Sequence, residues 1–143
     1  MIAGDVVLAR LQAVAAVTNI VGAPPDDRIY KFWLPEKPVY PAIVYKLISD
    51  DRLRGTYSDP GYVKATLQIV CFSKVSLTEA DALAEQVRLA LERFGSSQPA
   101  GIPFAGATLY DIKLGSGADG YAPEVEAHFV TRDYTVHHLE ATP

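Results

Sequence analysis

A chain of 143 residues, 49% hydrophobic and 21% charged, has the size and composition of one globular domain with one core, and is too apolar for a disordered chain. Its formal net charge of −4 argues against binding nucleic acid through the phosphates, which needs clustered Lys and Arg. The single cysteine excludes an internal disulfide, and no apolar run approaches the ~18 residues of a membrane span.

Asp5 to roughly Thr18 predicts a helix. Val7, Leu8, Leu11, Val14 and Ala15 form its apolar stripe, Arg10 and Gln12 lie outside, and Val17 and Ile20 close it. Asp5 suits the positive end of the helix. No basic stretch leading into an apolar core precedes it, so no secretory signal is read, and a soluble chain made and used in the cytoplasm is expected. Val21-Gly22-Ala23-Pro24-Pro25 breaks the helix, because Pro25 pushes Pro24 away from helical angles.

Arg28 to Leu34 is short and rich in aromatic residues, and Pro35, Pro38 and Pro41 follow it. Prolines donate nothing to a sheet ladder, so this part reads as an extended connection or a sheet edge. Trp33, the only tryptophan, either caps the edge of the core or stands exposed as an anchor for a partner. Ala42 to Ser49 reads as a strand. Asp50 to Gly61 is longer than the usual two to five residues of a hairpin loop. It is polar and ends in turn chemistry at Asp59-Pro60-Gly61. Loops of this kind protrude and often carry contacts.

The clearest strand is Tyr62 to Ser73. Val63, Ala65, Leu67, Ile69 and Cys71 alternate with Lys64, Thr66 and Gln68, which gives one apolar face. Val70 and Phe72 make the far end apolar on both faces, so cover on both sides is expected there. Cys71 reads as a small buried apolar residue, since a nucleophile would need an activating base nearby. Ser76 and Glu79 have capping-box spacing, with Thr78 a rival cap. A helix from Leu77 to Phe94 follows, with Ala80, Leu83, Ala84, Val87, Ala90, Leu91 and Phe94 on one stripe and Asp81, Glu85, Arg88, Glu92 and Arg93 opposite. Gly95 supplies its left-handed stop. At ~1.5 Å per residue this helix crosses a whole small sheet.

Ser96 to Gly101 breaks the chain again, and Ile102 to Gly106 is too interrupted for a central strand. Thr108 to Leu114 alternates and reads as a strand. Gly115 to Gly120 reads as a hairpin loop; it lacks the Gly-Lys-Ser/Thr and the helix of a phosphate loop. Glu124 to His138 is the last strand. Val125, Ala127 and Phe129 face one way, then Val130, Tyr134 and Val136 shift the frame, which a bulge or a change of environment explains.

Chemistry is sparse along the chain. His128, His137 and His138 are the only histidines, and the adjacent pair points to opposite faces of a strand, so no metal site is read. Asp50, Asp51 and Asp59 lack the alternating pattern and closing Glu of a calcium loop. No triad and no cofactor motif is present. Residues alone therefore describe a single α+β domain over 1–143.

The order of elements, together with Asp27 to Tyr30, Pro38 to Tyr45, Leu67 to Ser73 and the helix Thr78 to Phe94, resembles the tail completion or tail terminator family of long-tailed phages and gene transfer agents. The resemblance spans nearly the whole chain and rests on packing signatures. It implies a mostly antiparallel sheet of about four to five strands with two helices packed against it. It also implies a non-enzymatic virion protein without cofactor or metal: a six-membered ring at the head-proximal end of the tail tube, ending tube polymerisation and joining the head–tail connector. The partners implied are further copies of the chain, the tail tube protein and the connector. Assembly would occur in the host cytoplasm, with no membrane and no specific nucleic-acid contact, although DNA would pass through a lumen that mild acidity suits.

Candidate interface residues are Asp50, Asp51, Arg52, Arg54, Tyr57 and Asp59 in the first long loop, Asp119 and Tyr121 in the second, and Trp33 as an anchor. Alternatives are another head–tail neck protein, a cellular oligomeric binding module, or a small-molecule enzyme or regulatory domain with a ferredoxin-like arrangement.

Overall fold

Three of the four long strands follow from period-two alternation, and their pairing places one apolar face of each on a common core. The computed structural model describes residues 2–22, 27–36, 38–52, 62–92, 102–104 and 107–140. In chain order the elements are α1 (Ile2–Ala13), α2 (Ala15–Val21), β1 (Ile29–Lys31), β2 (Ala42–Arg52), β3 (Tyr62–Ser73), α3 (Leu77–Leu91), β4 (Ile102–Phe104), β5 (Ala107–Ala122) and β6 (Ala127–Glu140). The strands form one sheet in the order β1-β2-β3-β6-β5-β4. Every neighbouring pair is antiparallel except β1 with β2. The fold is α+β, with four long strands in the middle and a three-residue strand at each edge.

Register settles which residues share the core face. Leu47, Leu67, Tyr134 and Leu114 form one continuous row across β2, β3, β6 and β5. On that face Ile43, Ile69, Cys71, Val130, Val136 and Ile112 meet Val7, Leu11, Val17, Leu83, Val87 and Leu91 from the helices. α3 packs on β6, β3 and β5. Its start is the expected one: Ser76 is extended, and its hydroxyl accepts from the Glu79 amide at 3.1 Å, a cap worth about 1 kcal/mol. The helix ends at Leu91; the expected stop at Phe94-Gly95 lies outside the described residues.

The N-terminal helix differs from the expectation. It bends by 88° at Val14, whose extended backbone separates α1 from α2. The expected stripe breaks there, since Ala15 is exposed, and Leu11 before the bend and Val17 and Val21 after it all reach full burial in the same core. Arg10 then reaches α3, its Nε donating to the Ala90 carbonyl at 2.9 Å.

Two strands are longer than the local pattern suggests. β2 continues through Asp50, Asp51 and Arg52, which pair with Ala65, Lys64 and Val63 rather than opening a loop. β5 runs through Gly115 to Gly120, read from sequence as a loop; Gly117, Asp119 and Gly120 pair with Arg132, Val130 and Phe129. Here glycine serves close approach. A Cβ on Gly117 would lie 2.6 Å from the Thr131 carbonyl oxygen, and one on Gly120 would lie 3.1 Å from the Phe129 ring. The true reversal is Pro123 to Glu126, where Glu126 takes a positive φ of 52°. The frame shift in the last strand is a change of environment and not a bulge. β6 pairs with β3 without interruption, so Val130, Tyr134 and Val136 face the core while Phe129 faces the other side of the sheet. The register slips lie on β5, between Leu109 and Asp111 and between Leu114 and Gly117.

Candidate open-face groove

The helices cover one face of the sheet; on the other face the described residues place no helix. Val44, Lys46, Gln68, Val70, Phe72, Phe129 and Thr131 line this face together as the floor of a groove of about 640 Å³. One wall is Phe32 to Glu36 with Pro38, and the other is Ala122 with Glu124 to Glu126. Floor and walls therefore come from β2, β3, β6, the segment after β1 and the β5–β6 turn.

The first wall stands where it does because the chain turns sharply after β1. Phe32 has a φ of 73°, in the left-handed region that costs a bulky residue steric energy. Its amide donates to the Tyr45 carbonyl at 2.9 Å, and the Trp33 amide donates to Lys31 at 3.0 Å. Arg28 anchors the base of the segment, Nε donating to the Pro41 carbonyl at 2.8 Å and Nη2 to the Ile20 carbonyl at 2.7 Å. The prolines, which cannot extend a ladder, then run over the sheet instead of within it.

Tyr40 closes the arrangement. Its hydroxyl donates to the Val125 carbonyl at 3.1 Å, and its ring lies 6.2 Å from that of Phe72. Burial, with a smaller contribution from the Glu126 charge, raises its pKa above the ordinary 10.0, so the phenol keeps its donor proton. The cover expected over Val70 and Phe72 is thus partial: both are half-buried, between two walls rather than under a helix.

Trp33 is 80% exposed on the rim, beside Phe32 at 47%. The two rings are 6.2 Å apart, and the Lys31 ammonium sits 5.5 Å from the Phe32 centroid. The groove joins an apolar floor to carboxylates at Glu36, Glu124 and Glu126, with Lys46 on the floor. An exposed aromatic pair beside such a floor suits a protein contact, because large rigid rings gain the most when a partner removes water from them.

The other sequence candidates do not converge on this groove. Asp50 and Asp51 are exposed on β2, at the opposite end of the strand from Val44. Arg52 ends β2, while Arg54, Tyr57 and Asp59 lie outside the described residues. Asp119 and Tyr121 are exposed on β5, and Tyr121 packs edge-on against His128 with centroids 5.0 Å apart. Sequence reasoning passed over Val44, Phe129 and Thr131 as a surface. The available signal was the doubly apolar end of β3 at Val70 and Phe72.

The chemistry read from sequence takes its place in this geometry. Burial pushes the Cys71 thiol up to about 12, so it stays protonated inside the core. His137 and His138 fall on opposite faces, paired with Lys64 and Val63. Among the described residues no three His, Cys, Asp or Glu side chains converge as metal ligands, and no single helix is long and apolar enough to cross a membrane.

Comparison with known proteins finds a match to the family described as "Tail completion protein gp17", over residues 5–138. A solved chain from a "virion of native gene transfer agent (GTA) particle" shares the fold with a TM-score of 0.63 at 16% identity, over 93% of this chain and 91% of that one. No curated protein sequence matches the chain.

Proposed function

From the premise that this chain belongs to the tail completion protein gp17 family, and is therefore a phage-tail type structural protein, we propose that it closes the head-proximal end of the tail tube. In this reading it forms a ring of six copies, ends tube polymerisation and presents a surface to the head–tail connector. The role is one of contact and geometry and requires no catalytic residue. The observation that carries the reading is Trp33, 80% exposed on the rim of a largely apolar groove at one end of the sheet face on which no described helix packs. A burial-ready aromatic on a concave apolar surface is material for a protein interface. We assign the groove to a neighbouring virion protein, and the net charge of −4 to a lumen through which DNA slides without sticking.

The test is the solution mass by light scattering across a concentration series, with and without purified tail tubes, followed by capture on tail tubes and on connector. A ring-sized species that binds tube ends supports the reading. Binding to connector alone moves the protein to the connector side of the neck, and a monomer indifferent to both overturns ring and cap together.

A further inference from the structure

Among the described residues both edges of the sheet are only partly covered. β1 pairs with β2 at Ile43, Val44 and Tyr45, and β4 pairs with β5 at Ala107, Thr108 and Leu109. Beyond these stretches, Lys46 to Arg52 on one edge and Tyr110 to Ala122 on the other have no strand partner among the described residues. Their outward N–H and C=O groups form a template for another strand.

We propose that successive copies of this chain join through these edges, β5 of one subunit pairing antiparallel with β2 of the next, so that the sheets continue across the seam. The inference rests on the ring reading and names its interface. Strand direction supports it. Three antiparallel steps separate β2 from β5, so the two run in opposite directions within one subunit. Rotation about an axis along the strands brings them together antiparallel with neither reversed. The covered stretches lie at opposite ends of their edges, so β1 and β4 form steps that leave the middle rows free on both sides.

Those middle rows contain Leu47 and Leu114, the two ends of the row through Leu67 and Tyr134. Each is only partly buried against its own core. Edge pairing sets them against each other and extends that core into the next subunit. The opposite face would bring Ser49 of one copy near Lys113 of the other, both of which are exposed. The slips of β5 at Tyr110 and past Leu114 bound its regular edge, which limits the pairing to Asp111 to Leu114, and the slip of β2 between Leu47 and Ser49 sets Ser49 rather than Ile48 beside Lys113. Because two different edges meet, the contact is heterologous, the kind a closed ring requires and an isologous dimer lacks.

The test is cysteine cross-linking in Ser49→Cys/Lys113→Cys. The native Cys71 is buried, so it gives no background. Mild oxidation should yield a ladder of linked species that ends at the closed ring. Mixed single variants should give heterodimers only. In the assembled wild type, amide exchange over Asp111 to Leu114 should slow by roughly tenfold or more relative to the monomer. Lys113→Cys dimers linked to themselves would overturn the proposal in favour of β5–β5 pairing. A ring by mass without the Ser49–Lys113 link or the slowed exchange overturns edge pairing and leaves the ring standing. A monomer that stays monomeric with tail tubes present overturns both.

Discussion

The hydroxyl of Tyr40 donates to the carbonyl of Val125 at 3.1 Å, across 85 positions of sequence. This bond ties the proline-rich wall of the groove to the β5–β6 turn, and so sets the separation between the two walls. Tyr40→Phe keeps the ring against Phe72 and deletes only the donor. It should cost about 0.5–1.5 kcal/mol in urea unfolding and speed amide exchange in the turn. Unchanged exchange at Val125 and its neighbours would show that the bond does not hold the turn in solution.

Trp33 should separate stability from assembly. At 80% exposure its removal takes little from the core, so Trp33→Ala should alter unfolding free energy by no more than about 0.5 kcal/mol. Binding to the virion partner should weaken by roughly tenfold or more, the range of a buried aromatic anchor. Competition binding on purified partner checks this, and full binding by the variant would remove Trp33 from the interface.

Gly117 distinguishes strand from loop. In a hairpin loop Gly117→Ala would be nearly neutral. In the observed strand the new Cβ meets the Thr131 carbonyl oxygen at 2.6 Å and Nη1 of Arg132 at 2.7 Å. The arginine end can swing aside, giving up its 3.5 Å contact with Asp81, a pair worth ~0–1 kcal/mol. The backbone carbonyl cannot. Destabilisation of about 1–3 kcal/mol is expected by chemical denaturation.

His137 links stability to pH. Burial, and then the charge of Lys113, lower its pKa below the ordinary 6.5. The unfolded chain therefore takes up the proton before the folded one. Stability from this group is complete above 6.5 and is lost as pH falls from there through the lower folded value. His137→Gln should flatten that part of the urea midpoint against pH, and Lys113→Gln, which removes a charge that lowers the folded value, should narrow the window from its acid end. A variant profile that overlays the wild type would remove His137 from the acid response.

Much of the fold was legible because local patterns encode burial and turn chemistry. The alternation from Val63 to Cys71 shows that β3 has one buried face, and Ser76 with Glu79 shows where α3 begins. Both signals are complete within a few residues. The glycines from Gly115 to Gly120 misled for the same reason: their commonest local meaning is a turn, whereas here they admit the Thr131 backbone and the Phe129 ring from another strand. Asp50 and Asp51 misled likewise, since polar residues at the end of a strand resemble a loop until their partners, Ala65 and Lys64, are known.

The sequence by itself determined the α+β class, the buried face of β3 and the buried stripe and first turn of α3, because side-chain alternation and capping act between neighbours in the chain. Tertiary structure decided the bend at Val14, the passage of β5 through its glycines and the groove itself. Each of these depends on contacts between distant segments, such as Tyr40 with Val125 and Arg28 with Ile20 and Pro41. A concave surface whose floor belongs to three strands and whose walls belong to two connections exists only once the register of the sheet has brought them together.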